Sequence, residues 1–207
     1  MSKTSFLFNK KDALYSIITG FTAGFLAWRI FAFLNISNFY FLPGAWLTVL
    51  IPVLWIIGVN LGYFLGRWMP FFNQFGKFVA IGFTNATVDF GILNLFIFLT
   101  GITAGFWYPV FKIGSFSAGL IHSYIWNKYW AFKAGASKGG KAEFLKFAGV
   151  AIAALFVNVG TASFVVNFVH PVLGIDAKGW ANIGAVAGSA MALSFSFIGF
   201  RLTVFKK

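Results

Sequence analysis

The chain contains no cysteine, only four acidic residues and only two histidines among its 207 residues. The missing cysteine excludes disulfide frameworks, iron–sulfur clusters and a cysteine nucleophile. With so few acids and histidines no His/Asp/Glu cluster is visible, so neither a metal nor a cofactor is expected. Charge is scarce altogether: 10% of the residues are charged, against about 25% in a soluble domain. That scarcity excludes an ordinary soluble enzyme and a disordered chain. What fills the sequence instead is apolar bulk, 59% hydrophobic with 30 Phe and 8 Trp, at a mean hydropathy of +0.84. The remaining charge is one-sided, 16 basic residues against 4 acidic, for a net +12. Nucleic-acid-binding proteins share such an excess but not this apolarity, so no nucleic-acid partner is expected. The composition is that of a polytopic membrane protein.

A spanning helix needs roughly 20 apolar residues. Apolar runs at about 13–34, 45–68, 77–99, 110–130, 144–169 and 180–205 predict an all-α protein of six transmembrane helices. Pro70 is expected to break the chain between the second and third spans, with Asn73, Gln74 and Gly76 in a linking loop. This divides the sequence into an N-terminal hairpin, 1–72, and a four-helix domain, 73–207. Six spans put both termini on one side. All the basic residues except Arg29, Lys112 and Lys178 then fall on that side, which the positive-inside rule makes cytoplasmic. Gly20 and Gly24 in the first span, and Gly58, Gly62 and Gly66 in the second, are small-residue faces that allow close helix packing and favour self-association.

From Phe75 onward the sequence repeats. Gln74-Phe75-Gly76-Lys77-Phe78 reads like Glu143-Phe144-Leu145-Lys146-Phe147, Asp89 meets Asn158, and Lys128 meets Arg201. Each unit is a pair of spans, so the copies share one orientation: a parallel repeat about an axis near the membrane normal.

Asp89 stands out within the spans. It lies twelve positions after Lys77, about 18 Å along a helix and so near the middle of a roughly 30 Å core. A carboxylate there costs about 2.5–3.5 kcal/mol unless it faces water or a partner. It is either a substrate or proton site or a paired carboxyl that locks helices together. Asn85 shares its helix face four residues earlier. Asn158, its repeat mate, either lines the same cavity or makes an interhelical amide bond. His122, about 9 Å inside the fourth span, either meets an anionic head or bonds a neighbouring helix. Lys77, Lys128, Lys146 and Arg201 each sit at the cytoplasmic end of a repeat span. Positive-inside topology alone would put them there, yet gathered in one bundle they would form a basic mouth for a phosphate. The loop 133–146 adds lysines that attract anionic membrane lipid. Gly135–Lys141 has the spacing of a phosphate-binding loop, but Ala142 follows where Ser or Thr should stand, so no ATPase is expected.

Residues 75–207 resemble the GtrA-like family of small membrane proteins. The likeness rests on Phe75-x-Lys77-Phe78, Val88-Asp89-Phe90, Asn127-Lys128-Tyr129-Trp130-Ala131-Phe132, Phe144-x-Lys146-Phe147 and the closing Phe200-Arg201-Leu202-Thr203-Val204-Phe205. The last lacks the Asn and Trp of its counterpart, and the hairpin 1–72 lies outside the four-span pattern. The resemblance implies flipping of a polyprenyl-phosphate-linked monosaccharide across the cytoplasmic (inner) membrane for cell-surface polysaccharide glycosylation. On that reading Lys77, Asn127, Lys128, Lys146 and Arg201 hold the phosphorylated head. Asn85, Asp89, His122 and Asn158 line its path, and a membrane glycosyltransferase is a downstream partner. Two other readings stay open: a non-transporting anchor or regulator of a glycosyltransferase, and a small proton-coupled exporter. No nucleophile–base pair is visible at the membrane surface, so no enzymatic activity is expected.

Overall fold

The computed structural model of the protein describes residues 7–36, 38–39, 42–131 and 141–203. Within them run six long helices: α1 Lys10–Phe33, α2 Leu47–Leu65, α3 Phe71–Thr100, α4 Trp107–Trp126, α5 Lys141–Phe168 and α6 Ala177–Thr203. The all-α architecture follows the apolar runs, but several helices begin earlier than hydropathy suggests. The largest departure is α3. Pro70 does not open a loop; the helix begins at Phe71 just after it and includes Asn73, Gln74 and Gly76. Proline lacks an N–H and has a fixed φ, which suits the start of a helix as well as its end. At the other extreme α4 runs into a π-helical turn, Asn127–Ala131, over most of the Asn-Lys-Tyr-Trp-Ala-Phe motif. The glycine-rich stretch around Gly135 lies outside the described residues.

Among the described residues four helical segments are long and apolar enough to cross a membrane: α1, the segment 44–65, α3 and residues 148–168 of α5. Helices α4 and α6 have the length, 20 and 27 residues, but carry Lys112 and His122, and Lys178 and Asn182, within their runs. The distribution of polarity is the reverse of a soluble protein. Phe83, Phe98, Phe156, Phe164 and Phe168 stand exposed, while Asp12, Lys77, Thr84, Asp89, Asn94, Lys112 and Asn158 are buried. In a hydrocarbon solvent that is the favourable arrangement, because lipid takes up apolar surface and cannot solvate charge.

The described chain forms two compact units, one from residues up to 91 together with 121–131, the other from 92–120 together with residues from 141 onward. In the first unit, α1 starts at a capping box. Asn9 Oδ1 accepts the Lys11 and Asp12 N–H groups at 2.9 and 3.1 Å, and Asp12 accepts the Asn9 N–H. Such a box satisfies helix-end amides that lipid would leave bare. Asn35, at φ 56°, ends the helix. A ladder of two residues a side, β1 Asn38–Phe39 and β2 Leu42–Pro43, then turns the chain into α2. Gly20 packs against the backbone of Pro52, and Gly24 against Leu47 and Thr48. The backbones of α2 and α3 touch at Gly62 and Gly76. Thr84 Oγ1, fully buried on α3, accepts the Trp55 Nε1 proton from α2 at 3.2 Å and lies 3.3 Å from the Thr19 carbonyl of α1. Val59, Tyr63, Ala80, Ile81, Trp130 and Ala131 form the core, with Phe8, Tyr15, Trp55 and Trp126 against it.

In the second unit α5 and α6 make a close hairpin. Gly184 meets Val166 and the Ala162 carbonyl, and Gly188 meets the carbonyl of Asn158. Trp180 Nε1 donates to the Val165 and Val169 carbonyls at 3.2 and 3.0 Å, which fixes the mouth of the hairpin.

The glycines make a direct test of this packing. A side chain at Gly24 collides with the Leu47 carbonyl, whereas one at Gly58 meets open space. Gly24→Val is expected to lower the midpoint of thermal unfolding in detergent by many degrees. Gly58→Ala is expected to be neutral or to stabilise by up to about 1 kcal/mol, the helix-propensity gain.

Candidate functional site

The densest polar site is built around a residue the hydropathy pattern hides. Asp12, in the first turn of α1, is 2% exposed. Its Oδ1 lies 2.6 Å from Lys77 Nζ and accepts Trp130 Nε1–H at 3.0 Å; its Oδ2 accepts Tyr63 Oη–H at 2.8 Å. The Lys77 ammonium also stands 5.0 Å from the centre of the Tyr63 ring, within cation–π range. Donors from α2, α3 and the π-helical turn thus converge on one carboxylate from α1. A buried charge pair of this kind holds only when its remaining lone pairs are also satisfied, and Tyr63 and Trp130 satisfy them.

This changes the place of Lys77. Its sequence position suggests an ammonium at an open basic mouth, but the lysine is 3% exposed and ion-paired with Asp12. The cause is the capped start of α1, which carries an acid into the low-dielectric interior where the nearest cation is drawn to it. The side chains of Lys128, Lys146 and Arg201, the other three cations of the expected mouth, lie outside the described residues.

Beside this cage runs an aromatic wall. Tyr15 packs edge-on against Trp126 and Trp130 at 5.4 and 6.0 Å, and Trp126 lies 6.0 Å from the His122 ring. His122 Nδ1 and Asn85 Oδ1 approach to 2.5 Å. An amide oxygen only accepts, so with the amide in this orientation the ring donates through Nδ1. Two of the expected path residues are therefore bonded to each other between α3 and α4. Asn127 donates to the Ser123 carbonyl and hydroxyl at 3.0 and 3.1 Å, while its Oδ1 is buried without a hydrogen-bond partner among the described residues. Asp89, one helical turn beyond Asn85, is 4% exposed in this unit.

The second unit holds a separate polar layer. Asn158 is fully buried; its amide donates to Ser189 Oγ at 3.2 Å and its Oδ1 has no hydrogen-bond partner among the described residues. Asn94 and Asn182 exchange a reciprocal pair of amide bonds, each 2.8 Å. Tyr108 Oη donates to the Ala181 carbonyl at 2.7 Å, and Lys112 is wholly buried. Hydropathy places Lys112 toward the outer side; its burial is a product of tertiary packing around α4.

Asp12, Tyr63, Asn94 and Asn182 have no part in the site that sequence reasoning assembles. Asp12 does carry a signal: Asn9-x-x-Asp12 is a capping pattern just before an apolar run. The two asparagines are polar breaks in apolar helices, but nothing in the sequence shows that they face each other.

An apolar exterior, a polar interior and a buried ion cage define a small helical membrane protein with a charged interior site. The chain belongs to the GtrA/DPMS transmembrane-domain family, whose model matches residues 77–206. Membership points to involvement in the handling of lipid-linked sugars. A curated relative, the uncharacterized membrane protein YngA of Bacillus subtilis (strain 168), is 30% identical over 139 residues, covering 63% of this chain and 78% of its own. No solved structure matches. Of the cage, Lys77 and Trp130 fall inside the family region, and Asp12 and Tyr63 lie before it.

The carboxylate cage predicts unequal costs for removing single donors. Tyr63→Phe and Trp130→Phe each strip one hydrogen bond from a buried charge and are expected to cost about 1.5–3 kcal/mol each. Trp68→Phe, at an exposed position, is expected to change little. Denaturant titrations of the detergent-solubilised protein compare the three.

Proposed function

We propose that the protein flips a polyprenyl-phosphate-linked monosaccharide across the cytoplasmic membrane, without chemistry on the sugar. All six helices cross the bilayer on this reading, and both termini are cytoplasmic. The observation that carries it is the burial of Asp89 and Asn158, with the half-buried Asn85–His122 pair, in helices whose outer faces are apolar. Polar groups at such depth are costly unless they meet one another, water or a polar cargo. Family membership adds the class of cargo. A sugar head is rich in hydroxyls and matches amide and carboxylate partners; the prenyl tail stays in lipid against Phe-rich faces. Lys128, Lys146 and Arg201 serve the phosphate at the cytoplasmic side together with Asn127, and anionic lipid gathers at the neighbouring lysines. The chain has no ATP-binding motif, so transfer is passive or ion-coupled, and it delivers the head to a glycosyltransferase outside. A homo-oligomer belongs to this reading, with Gly58 presenting an open face while Gly20, Gly24, Gly62 and Gly66 pack within the chain.

The test is reconstitution in vesicles with a fluorescent polyprenyl-phosphate sugar. Inner-leaflet label should become accessible faster than in empty vesicles. Asp89→Asn and Lys128→Ala should each slow the transfer about tenfold, the effect of losing about 1.4 kcal/mol of contact in the rate-limiting step. Equal rates with and without protein contradict the function. Unchanged rates in both variants contradict the residue assignment.

A further inference from the structure

Asp12 sits where a free anion would sit. One ammonium, an indole N–H and a phenol O–H point at its carboxylate, with the Asn9 backbone N–H at 3.4 Å behind them. Nothing in this set is particular to a carboxylate, because a phosphoryl group offers the same charged oxygens to the same donors. The donors and the anion also come from different parts of the chain. Lys77 and Trp130 belong to the region matched by the family, and Asp12 comes from the hairpin that precedes it. Two buried polar atoms nearby in sequence have no hydrogen-bond partner among the described residues: Ser16 Oγ, one turn after Asp12 on α1, and Asn127 Oδ1, three residues before Trp130 on the π-helical turn. π-helical turns in α-helices are frequent at functional sites. The carboxylate itself rides on the first turn of α1, and helix ends open at lower free energy than helix middles.

We propose that Lys77, Trp130 and Tyr63 form an oxyanion cradle that Asp12 fills in cis and that receives the phosphoryl group of a ligand when Asp12 withdraws. The N-terminal hairpin is then a built-in competitor that sets the affinity for the head. Exchanging one anion for another keeps the Lys77 ammonium paired, which avoids the large cost of a bare buried cation. The inference rests on the proposed function only for the lipid origin of the phosphate; the cradle stands without it.

The test uses the full chain in detergent at constant ionic strength. Asp12→Ala is expected to melt below the parent, and formate or inorganic phosphate, compared with chloride, is expected to restore several degrees. The parent and the Asp12→Ala/Lys77→Met double variant should show no such shift. Asp12→Ala with no response to either anion overturns the cradle. Should Asp12→Ala fail to fold, Asp12→Asn keeps the shape of the side chain and removes its charge. It should bind polyprenyl phosphate in vesicles, or inorganic phosphate in solution, about tenfold more tightly than the parent, an affinity change of about 1.4 kcal/mol. Equal or weaker binding of both overturns the proposal. Tightening toward the vesicles alone assigns the cradle to a lipid head, and tightening toward inorganic phosphate assigns it to a free anion. Anion rescue without flipping removes the transport reading and keeps the cradle; flipping without rescue does the opposite.

Discussion

The first unit is organised by a single requirement, that the Asp12 carboxylate be neutralised away from water. Three segments meet that requirement together: Tyr63 from α2, Lys77 from α3 and Trp130 from the π-helical turn. Each donor fixes the rotation of its own helix, so the register of α1 against α2, α3 and the end of α4 follows from one acid. The apolar contacts of Val59, Ile81 and Ala80 add area and the close approach of Gly62 to Gly76 adds position, while a hydrogen bond to a buried charge weakens steeply with misalignment.

The same reasoning explains why polarity is turned inward throughout. A hydrocarbon solvent gives no hydrogen bonds, so every polar side chain within it needs a protein partner or a polar cargo. Thr84, Asn94 with Asn182, and Asn85 with His122 have found protein partners. Asn127 and Asn158 retain a buried acceptor without one among the described residues. On the proposed function these open valences are where a hydroxyl-rich head would gain most, because an unsatisfied acceptor in the interior is expensive.

Much of the fold is legible from hydropathy because span length and apolar content are local properties. The runs at 13–34 and 45–68 foretell α1 and α2 to within a few residues; of the glycines, Gly20 and Gly24 pack on α2, whereas Gly62 and Gly66 face residues of α3 and Gly58 faces open space. The start of α3 is not legible, because Pro70 reads equally as a stop or a start and only the packing of Gly76 on Gly62 decides. The site is harder. Asp89 is conspicuous since it interrupts an apolar run, while Asp12 lies among lysines at a helix start and looks like an ordinary surface acid. Its meaning depends on Tyr63, 51 residues away, and on Trp130, 118 residues away, and no periodicity encodes such pairings. Lys77 is misplaced by sequence for the same reason: its charge is visible, but its partner is not.

The central claim is that Asp12 and Lys77 act as one element joining the N-terminal hairpin to the family domain. A double-mutant cycle with Asp12→Leu and Lys77→Met, read by reversible unfolding in mixed detergent, measures that directly. Each single change takes the opposite charge away from a buried group and should cost about 3–5 kcal/mol, while the double change should recover most of the loss. A coupling energy of about 2 kcal/mol or more is the expected result. Additive losses, with the double variant as unstable as the sum of the singles, would contradict it.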